Sequence, residues 1–358
     1  FAAALMNRYG LRNVTLAAQL IVVSGLVTSL AMTQVWQLIL LWGVVIGIGT
    51  GMTALVLGAT IATRWFVARR GLVIGMLTAS VATGQLAFLP LLATITERYG
   101  WRVALGFVCV MLGVAAFAVL MLMRDRPSDV GLRPFGDNGT APLPAPPPAN
   151  APIMAAALGT LRESSKSSVF WILFATFFVC GASTNGLVQV HLIPMCLDFG
   201  IPQVQAASLL AAMGIFDFFG TIISGWLSDR YDNRYLLFWY YGLRGLSLLY
   251  LPYSDFTFYG LSLFAMFYGL DWIATVPPTV RLTAQRFGAE RANLVFGWIF
   301  AGHQLGAGAA AFGAGVSRTV YSSYLPAFFI AGALCVCAAL ITLAIARPQP
   351  KPAAEPKP

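Results

Sequence analysis

The chain has 358 residues, of which 58% are hydrophobic and 10% are charged, and its mean hydropathy is +0.77. Soluble domains carry about 25% charged residues, so this composition excludes an ordinary soluble protein and indicates a membrane protein with many spans. The formal net charge is +9. Basic turns that meet anionic lipid headgroups explain this excess, so we expect the lipid bilayer as a partner and no nucleic acid.

Apolar runs long enough to cross a core of about 30 Å, at about 1.5 Å per residue, occur ten times. The predicted spans are residues 14–32, 37–62, 71–96, 103–123, 168–193, 203–228, 235–252, 257–281, 291–316 and 323–346. Between the fourth and the fifth lies a segment, 124–166, that contains a cluster of prolines. This composition predicts a solvated linker, in which a short surface helix at about 153–165 can precede the fifth span.

An internal repeat with an offset of 222 residues covers nearly the whole chain. A repeat of this length indicates two copies of one folded half rather than a short-period solenoid. The aligned pairs include Asn7 with Asp229, Arg8 with Arg230, Arg12 with Arg234, and Arg64 with Arg286. The predicted domains are an N-terminal transmembrane half, 1–123, a cytoplasmic linker, 124–166, a C-terminal six-helix half, 167–346, and a tail, 347–358.

The lysines and arginines predict the orientation, because these residues are retained on the cytoplasmic side. Of the 22, 18 fall in turns, linker and tail on one side of the spans. Arg98, Arg102 and Arg318 fall on the other side, and Arg244 lies inside a span. We therefore expect a multi-pass protein, monomeric and in a bacterial inner membrane, with its linker and C-terminus in the cytoplasm.

The residues typical of catalytic centres are scarce. The five cysteines lie mostly inside apolar runs without metal-ligand spacing, so we interpret them as packing residues rather than disulfides or ligands. His191 and His303 are the only histidines, and no nucleophile with its base and no phosphate-cradling loop is recognisable. We expect no metal, no cofactor and no enzymatic activity.

Three motifs and the long central linker form a recognisable set. The motifs are the run G-W-L-S-D-R-Y-D-N-R at 225–234 with its counterpart at 7–12, the run R-W-F-V-A-R-R-G at 64–71, and the corner Y-G-W-R at 99–102. Together these features resemble the major facilitator superfamily of secondary transporters. The resemblance implies an all-α fold of two parallel, pseudo-symmetric helical halves. It makes the ten spans helices three to twelve of an expected twelve, with the first helix and most of the second missing before Phe1.

The family's loop signature, roughly G-x-L-x-D-R-x-G-R-R, occurs in both halves. The second half departs from it at Asp232 and Asn233, and the first half has Asn7 where the acid belongs. Because a carboxylate at a helix end can accept hydrogen bonds from the start of a neighbouring helix, we predict a cytoplasmic latch. The latch residues are Asn7, Arg8, Arg12, Asp229, Arg230 and Arg234. The alternative is that these residues are ordinary positive-inside anchors.

Glycines at four-residue spacing predict close helix packing, because small residues let helix backbones approach in lipid. Gly43, Gly47 and Gly51 form one such ridge. Gly302 and Gly306 form another, beside His303.

Ionisable side chains enter the apolar spans only in the second half. A charge in this position is costly and faces a cavity or a partner. Asp217, Arg244, Asp271 and His303 lie about 9 to 12 residues from the cytoplasmic ends of their spans, which places them near the middle of the membrane. Amides at comparable depth can orient a bound carboxylate. These candidate substrate- and proton-binding amides are Gln85, Asn185, Gln189 and Gln304.

Each buried ionisable residue has a structural alternative. Arg244 is a candidate substrate-binding residue that can balance the charge of a bound anion together with His303, or it is a scaffold residue neutralised by an Asp, which is the interpretation we favour. We interpret Asp217 as a proton or substrate site rather than part of an ion pair. Asp217 lies where the monocarboxylate branch of the family carries an acid, but Thr221 replaces the arginine that this branch has four residues later. His303 lies where the related oxalate and formate exchangers have an anion-binding lysine, and a buried histidine bonded to a hydroxyl is equally consistent. Asp271 precedes a Pro-Pro break and is predicted as either a gate or a ligand.

The resemblance and the buried acids together predict a secondary active transporter that works by alternating access. We expect it to be proton-coupled and to carry a small, carboxylate-like organic anion. The alternative within transport is proton-driven efflux of an amphipathic compound. Another class, a membrane enzyme or a non-transporting sensor, lacks a recognisable catalytic constellation or output domain. Flux in vesicles separates these classes, since a sensor binds without moving its ligand.

Overall fold

The computed structural model describes residues 2–137 and 153–345, apart from a few side chains. The middle of the predicted linker and the predicted tail therefore lie outside the described residues. The helices are α1 Ala2–Tyr9, α2 Leu11–Ser29, α3 Val35–Trp65, α4 Arg70–Tyr99, α5 Trp101–Leu122, α6 Ile153–Ser164, α7 Ser168–Asp198, α8 Gln203–Ser228, α9 Asn233–Tyr250, α10 Phe258–Asp271, α11 Val276–Phe287, α12 Ala289–Tyr321 and α13 Leu325–Thr342.

Each of the ten predicted spans overlaps a helical segment, so the all-α fold is confirmed. In the described part of the chain, eight segments are long and apolar enough to cross a membrane. The helices α4 and α9, of 30 and 18 residues, complete the ten. The predicted span 257–281 differs from the structure in one respect: it is two helices, α10 and α11, that meet at residues 272–275.

The two halves meet where the repeat places the basic turns. Helix α4 of the first half packs against α8 of the second half. A Cβ atom at Gly71 would lie 2.8 Å from the Gly225 carbonyl oxygen, and one at Gly75 would lie 2.9 Å from the Thr221 carbonyl oxygen. Glycines at these positions therefore allow the two backbones to touch at this end of the molecule.

Both described ends of the linker are attached to the helices. After α5 the chain returns to the turn between α3 and α4, where the Val67 N–H donates to the Phe135 carbonyl oxygen at 2.9 Å. The short surface helix predicted at 153–165 is present as α6. It lies on α12, because the Trp298 indole donates to the Ala157 carbonyl oxygen at 2.9 Å and Arg291 pairs with Glu163.

The predicted glycine packing is confirmed in α12. A Cβ at Gly306 would overlap the Phe178 carbonyl oxygen, and one at Gly302 would lie 2.9 Å from the Phe174 ring. Helices α7 and α12 therefore pack backbone to backbone.

The predicted ridge in α3 is wrong. Among the described atoms, none lies within 4 Å of a Cβ built at Gly43 or Gly51. Contact with α2 passes instead through Gly49, whose Cβ would lie 2.9 Å from the Ala18 carbonyl oxygen. The reason is a π-helical stretch, Ile39–Ile46, because its wider turn changes which face of the following residues meets the neighbouring helix.

In the described part of the chain, the two larger clusters of buried apolar residues lie mainly in the second half, and a third, small cluster lies in the first half. One of the larger clusters contains Tyr241 and the other contains Leu248, and both residues belong to α9. Arg244 lies between them on the same helix and is fully buried. The polar residues of the candidate site therefore lie between two apolar layers, at the junction of α7, α8, α9 and α10.

Candidate substrate and proton site

Asp217 is a buried acid with neutral partners. Its side chain is 1% exposed. Its Oδ1 atom accepts a hydrogen bond from the Thr221 hydroxyl at 2.8 Å and another from the Ile273 backbone N–H at 2.9 Å. No ion pair in the described part of the chain includes Asp217. Uncharged donors therefore stabilise this carboxylate.

The Ile273 donor is available because the helix is broken there. Proline has no N–H and disfavours helical geometry in the residue before it, so Pro277 and Pro278 interrupt the hydrogen bonds between α10 and α11. In a continuous helix, residue 278 would donate to the Ala274 carbonyl oxygen. The Ser224 hydroxyl of α8 makes this bond instead, at 2.5 Å. Helix α8 therefore binds both a donor and an acceptor of the break.

Arg244 binds the other side of the break. Its Nε donates to Asp271 Oδ2 at 3.0 Å, and Nη2 donates to the carbonyl oxygens of Asp271 and Trp272 at 2.6 and 2.9 Å. Nη1 donates to Cys180 Sγ at 3.0 Å. The predicted pairing of Arg244 with an Asp is present, and the partner is Asp271.

The Arg244–Asp271 pair is excluded from solvent, with side-chain exposures of 0% and 3%. Removing one member of such a pair leaves a buried charge without its partner, which costs about 3–5 kcal/mol. The second carboxylate oxygen of Asp271, Oδ1, is buried and has no hydrogen-bond partner. Asp271 therefore retains an unused acceptor beside the break.

His303 is packed among aromatic rings. Its ring centroid lies 5.1 Å from that of Phe177 and 5.2 Å from that of Phe300. Its Nδ1 lies 3.3 Å from the Oε1 atom of the adjacent Gln304, an exposed residue. The partner of Nδ1 is thus an exposed amide rather than the hydroxyl that the structural alternative expected.

The remaining predicted amides are not joined to the buried acids by the described contacts. Asn185 lies in a π-helical stretch of α7, Ala182–Val188, and Gln189 follows it. Both side chains are exposed. The backbone of Gln85 is helical within α4, but its side chain lies outside the described residues. The structure brings together Asp217, Asp271 and Arg244.

Several contributors to this cluster were not predicted from the sequence. Cys180 was interpreted as a packing residue, and its Sγ atom lies 3.4 Å from the Thr275 hydroxyl as well as beside Arg244. The sequence analysis predicts no role for Ser224 or for the Ile273 N–H, which contact the break and Asp217. The double proline was the available signal, since it implies backbone groups that need partners in other helices.

Asp229 connects the two halves. Its carboxylate pairs with Arg281 of α11, and its Oδ2 atom accepts the Leu72 backbone N–H at 3.3 Å. Leu72 lies in the first turn of α4, where backbone N–H groups have no partner within the helix. This is the geometry predicted for the latch acid: a carboxylate at one helix end bound to the start of another.

The other predicted latch residues make their described contacts mainly within their own half. Asn7 accepts a hydrogen bond from Arg64 at 2.8 Å, and the Arg12 N–H donates to Asp125 at 2.8 Å. The remaining contacts place Arg8 over the Tyr9 ring, Arg230 over the Trp226 ring, and Arg234 against Asp232 and the Ile345 carbonyl oxygen. For these five residues the latch role stays a prediction.

The family model of the Major Facilitator Superfamily matches residues 1–311 and 193–358, which overlap and together span the chain. The chain therefore belongs to the Major Facilitator Superfamily, and it is a membrane transporter rather than an enzyme.

Curated relatives share about a quarter of its residues. The uncharacterized MFS-type transporter YcxA of Bacillus subtilis is 25% identical over 296 residues, which cover 80% of this chain and 66% of YcxA. Monocarboxylate transporter 12-B of Danio rerio is 25% identical, with 90% of this chain and 70% of its own length covered. Monocarboxylate transporter 13 of Bos taurus is 26% identical, and the match covers 95% of this chain and 75% of that transporter.

Solved structures of the superfamily share the fold. The fucose:proton symporter FucP of E. coli superposes with a TM-score of 0.66 at 14% identity, covering 97% of this chain and 86% of its own. The proton:xylose symporter XylE superposes with a TM-score of 0.68 at 15% identity, and the match covers 96% of this chain and 82% of XylE.

Proposed function

We propose that this chain carries small monocarboxylates across the membrane together with protons, by alternating access. The observation that supports the proposal most strongly is Asp217, a carboxylate buried in α8 with hydroxyl and amide donors and without a paired cation. Buried membrane acids of this kind are typical of proton pathways. The named relatives among the monocarboxylate transporters favour a carboxylate as the co-transported substrate.

In this proposal Asp217 takes up the coupling proton on one side of the membrane and releases it on the other. A protonated carboxyl group is neutral, so the loaded carrier reorients with the single negative charge of the substrate in the apolar layers instead of two negative charges. The amide of Gln304 and the ring of His303 are the proposed substrate contacts, since an amide and an imidazole can both donate to a carboxylate. His303 is 5% exposed, so this contact requires α12 to move.

The closed α4–α8 interface represents one state of the proposed cycle. Asp229 and the close approach of Gly71 to Gly225 hold the halves together at the end that carries the basic turns. That end is cytoplasmic in our proposal, so the state with these contacts is closed to the cytoplasm. Loss of the contacts between α4 and α8 would open the carrier to the cytoplasm.

Transport by the full-length protein in proteoliposomes tests the proposal. With the lumen more alkaline than the medium, labelled lactate and pyruvate should accumulate above their external concentration, and a protonophore should abolish this accumulation. A dicarboxylate and a neutral sugar serve as comparison substrates. The absence of monocarboxylate uptake, or extrusion of an amphipathic cation driven by the same gradient, would contradict the proposal and favour the efflux alternative.

Cysteine labelling in intact cells tests the proposed orientation. Val67→Cys in the turn before α4 should react with a membrane-impermeant maleimide only after the cytoplasmic face is opened. Gln203→Cys at the start of α8 should react from outside. Val67 and Gln203 are both exposed. The natural Cys196, which lies near Gln203, is 0% exposed, so it cannot react with the reagent. External labelling of Val67→Cys would reverse the orientation.

A further inference from the structure

The guanidinium group of Arg244 is occupied on every nitrogen. Nε, Nη1 and Nη2 bind acceptors from α7 and from the break between α10 and α11, at 2.6–3.0 Å. The side chain is 0% exposed. A substrate carboxylate could reach this group only by replacing contacts that the break itself needs. The geometry therefore favours a role in the shape of the break over direct substrate binding.

The two carbonyl oxygens that Arg244 binds are those that the break leaves without helical partners. In a continuous helix, the N–H groups of residues 275 and 276 would donate to the carbonyl oxygens of Asp271 and Trp272. The Val276 N–H donates instead to the Ile273 carbonyl oxygen, at 2.9 Å. Arg244 supplies donors to these C-terminal carbonyls of α10, where a cation is also favoured by the helix dipole.

One peptide unit joins Arg244 to Asp217. The Trp272 carbonyl and the Ile273 N–H belong to the same planar, trans amide, so they point in opposite directions and turn together. Arg244 Nη2 holds the oxygen at 2.9 Å, and Asp217 Oδ1 holds the N–H at 2.9 Å. Fixing one end of this amide fixes the direction of the other.

We propose that Arg244 is a positioning residue for Asp217: by holding the Trp272 carbonyl oxygen, it keeps the Ile273 N–H directed at the Asp217 carboxylate. The consequence for coupling rests on the proposed function, in which Asp217 carries the proton. Without Arg244 the amide can rotate, and Asp217 loses its main-chain donor while it keeps the Thr221 hydroxyl. The proton would then be bound in a less defined site.

Hydrogen exchange of the full-length protein in lipid nanodiscs tests the geometric part without any substrate. Mass spectrometry follows the peptide that contains Ile273. In Arg244→Gln, exchange at Ile273 should be about tenfold faster than in the wild type, as expected for the loss of one hydrogen bond. The double variant Arg244→Gln/Asp271→Asn removes both charges and keeps the test available if the single variant does not fold. Unchanged exchange at Ile273 in the folded variant would refute the proposal.

Transport provides the second readout. Arg244→Lys keeps the charge but can bind fewer acceptors, so it should restore the Ile273 protection only in part. In Arg244→Gln and Arg244→Lys, uphill accumulation of substrate should fall more than the exchange of internal for external substrate. The KM of that substrate exchange should remain unchanged. A raised KM at unchanged maximal rate would show that Arg244 contacts the substrate and would overturn the positioning role. If the wild type carried no monocarboxylate, the proposed function would be wrong. The rate of hydrogen exchange at the Ile273 amide would still decide whether Arg244 positions that amide.

Discussion

The side chain that donates to Asp217 from its own helix is the hydroxyl group of Thr221, at the position where the resemblance to the monocarboxylate branch led us to expect an arginine. Thr221 lies one helical turn after Asp217 and donates to it at 2.8 Å, as residues four apart on a helix can. A neutral donor supports the carboxylate without neutralising it. This difference makes Thr221 the side chain that most directly affects Asp217.

Thr221→Val removes this hydroxyl and preserves the shape of the side chain. We expect a loss of roughly 1.5–3 kcal/mol in stability, because hydrogen bonds to charged groups are stronger than neutral ones. Thermal unfolding in detergent measures the change. Thr283→Val is the matched control, since Thr283 is equally buried but donates to the Thr279 carbonyl oxygen of its own helix, α11. Equal effects of the two substitutions would contradict a special role for Thr221.

The sequence predicted the depth of the buried charges, and the structure brings three of them together. The depth of a charged residue in the membrane can be predicted from the sequence, because it depends only on the position of the residue along an apolar span. The Ile273 N–H was not predicted, because a backbone donor is the same in every residue and becomes available only when the helix breaks. The contact of Cys180 with Arg244 joins residues 64 positions apart, and no local pattern indicates such a pair.

Among the elements, α8 and α10 make an unusually close contact. A Cβ at Gly220 would overlap the Leu270 carbonyl oxygen, and one at Gly269 would lie 2.6 Å from the Met213 carbonyl oxygen. These glycines bring Asp217 within hydrogen-bonding distance of the break. The spacing of the two helices is therefore part of the proposed proton site.

Gly220→Ala should force α8 and α10 apart. We expect a destabilisation of about 1–3 kcal/mol, as for overpacked cores, together with a loss of uphill accumulation. Gly51→Ala is the control, because no described atom lies within 4 Å of the added methyl group, and it should be neutral or stabilising by about 0.5–1 kcal/mol. Normal stability and coupling in Gly220→Ala would contradict the close contact.

The existence of the helices was more predictable than their packing. Ten apolar runs were sufficient to locate the spans, since length and hydropathy decide whether a segment can cross a bilayer. The prediction of a glycine ridge in α3 was wrong because a sequence does not show where a helix widens into a π-helical stretch. The ridge in α12 was predicted correctly, since α12 is regular through Gly302 and Gly306.

At the scale of the whole molecule, Asp229 joins three helices. It lies at the end of α8 and contacts α11 through Arg281 and α4 through the Leu72 N–H. The offset of 222 residues indicated Asp229 by its alignment with Asn7. It did not indicate Arg281, because the aligned position in the first half is Ala59. The repeat predicts shared architecture but not contacts that one half acquired alone.

Asp229→Asn should weaken the closure between α4 and α8 while leaving the fold intact. We expect slower transport and a resting state shifted toward cytoplasmic opening, because the neutral amide loses the ion pair with Arg281. Double electron–electron resonance between spin labels at Val67→Cys and Tyr231→Cys, both exposed, should show a longer distance.

Asp232→Asn is the control for the latch. Asp232 lies three residues later in the same turn and pairs with Arg234 inside the second half. The label distance should remain as in the wild type. Transport at the normal rate and an unchanged distance in Asp229→Asn would show that Asp229 is only an anchor.

The most direct test of the account is the response of Asp217→Asn to a pH gradient in proteoliposomes. Asparagine keeps the size of the side chain and can still accept from Thr221 and Ile273, but it cannot take up and release a proton. Uphill accumulation of monocarboxylate should be abolished, while exchange of internal for external substrate should continue, since exchange requires no net protonation change. Undiminished uphill accumulation by Asp217→Asn would contradict the assignment of Asp217 as the coupling acid.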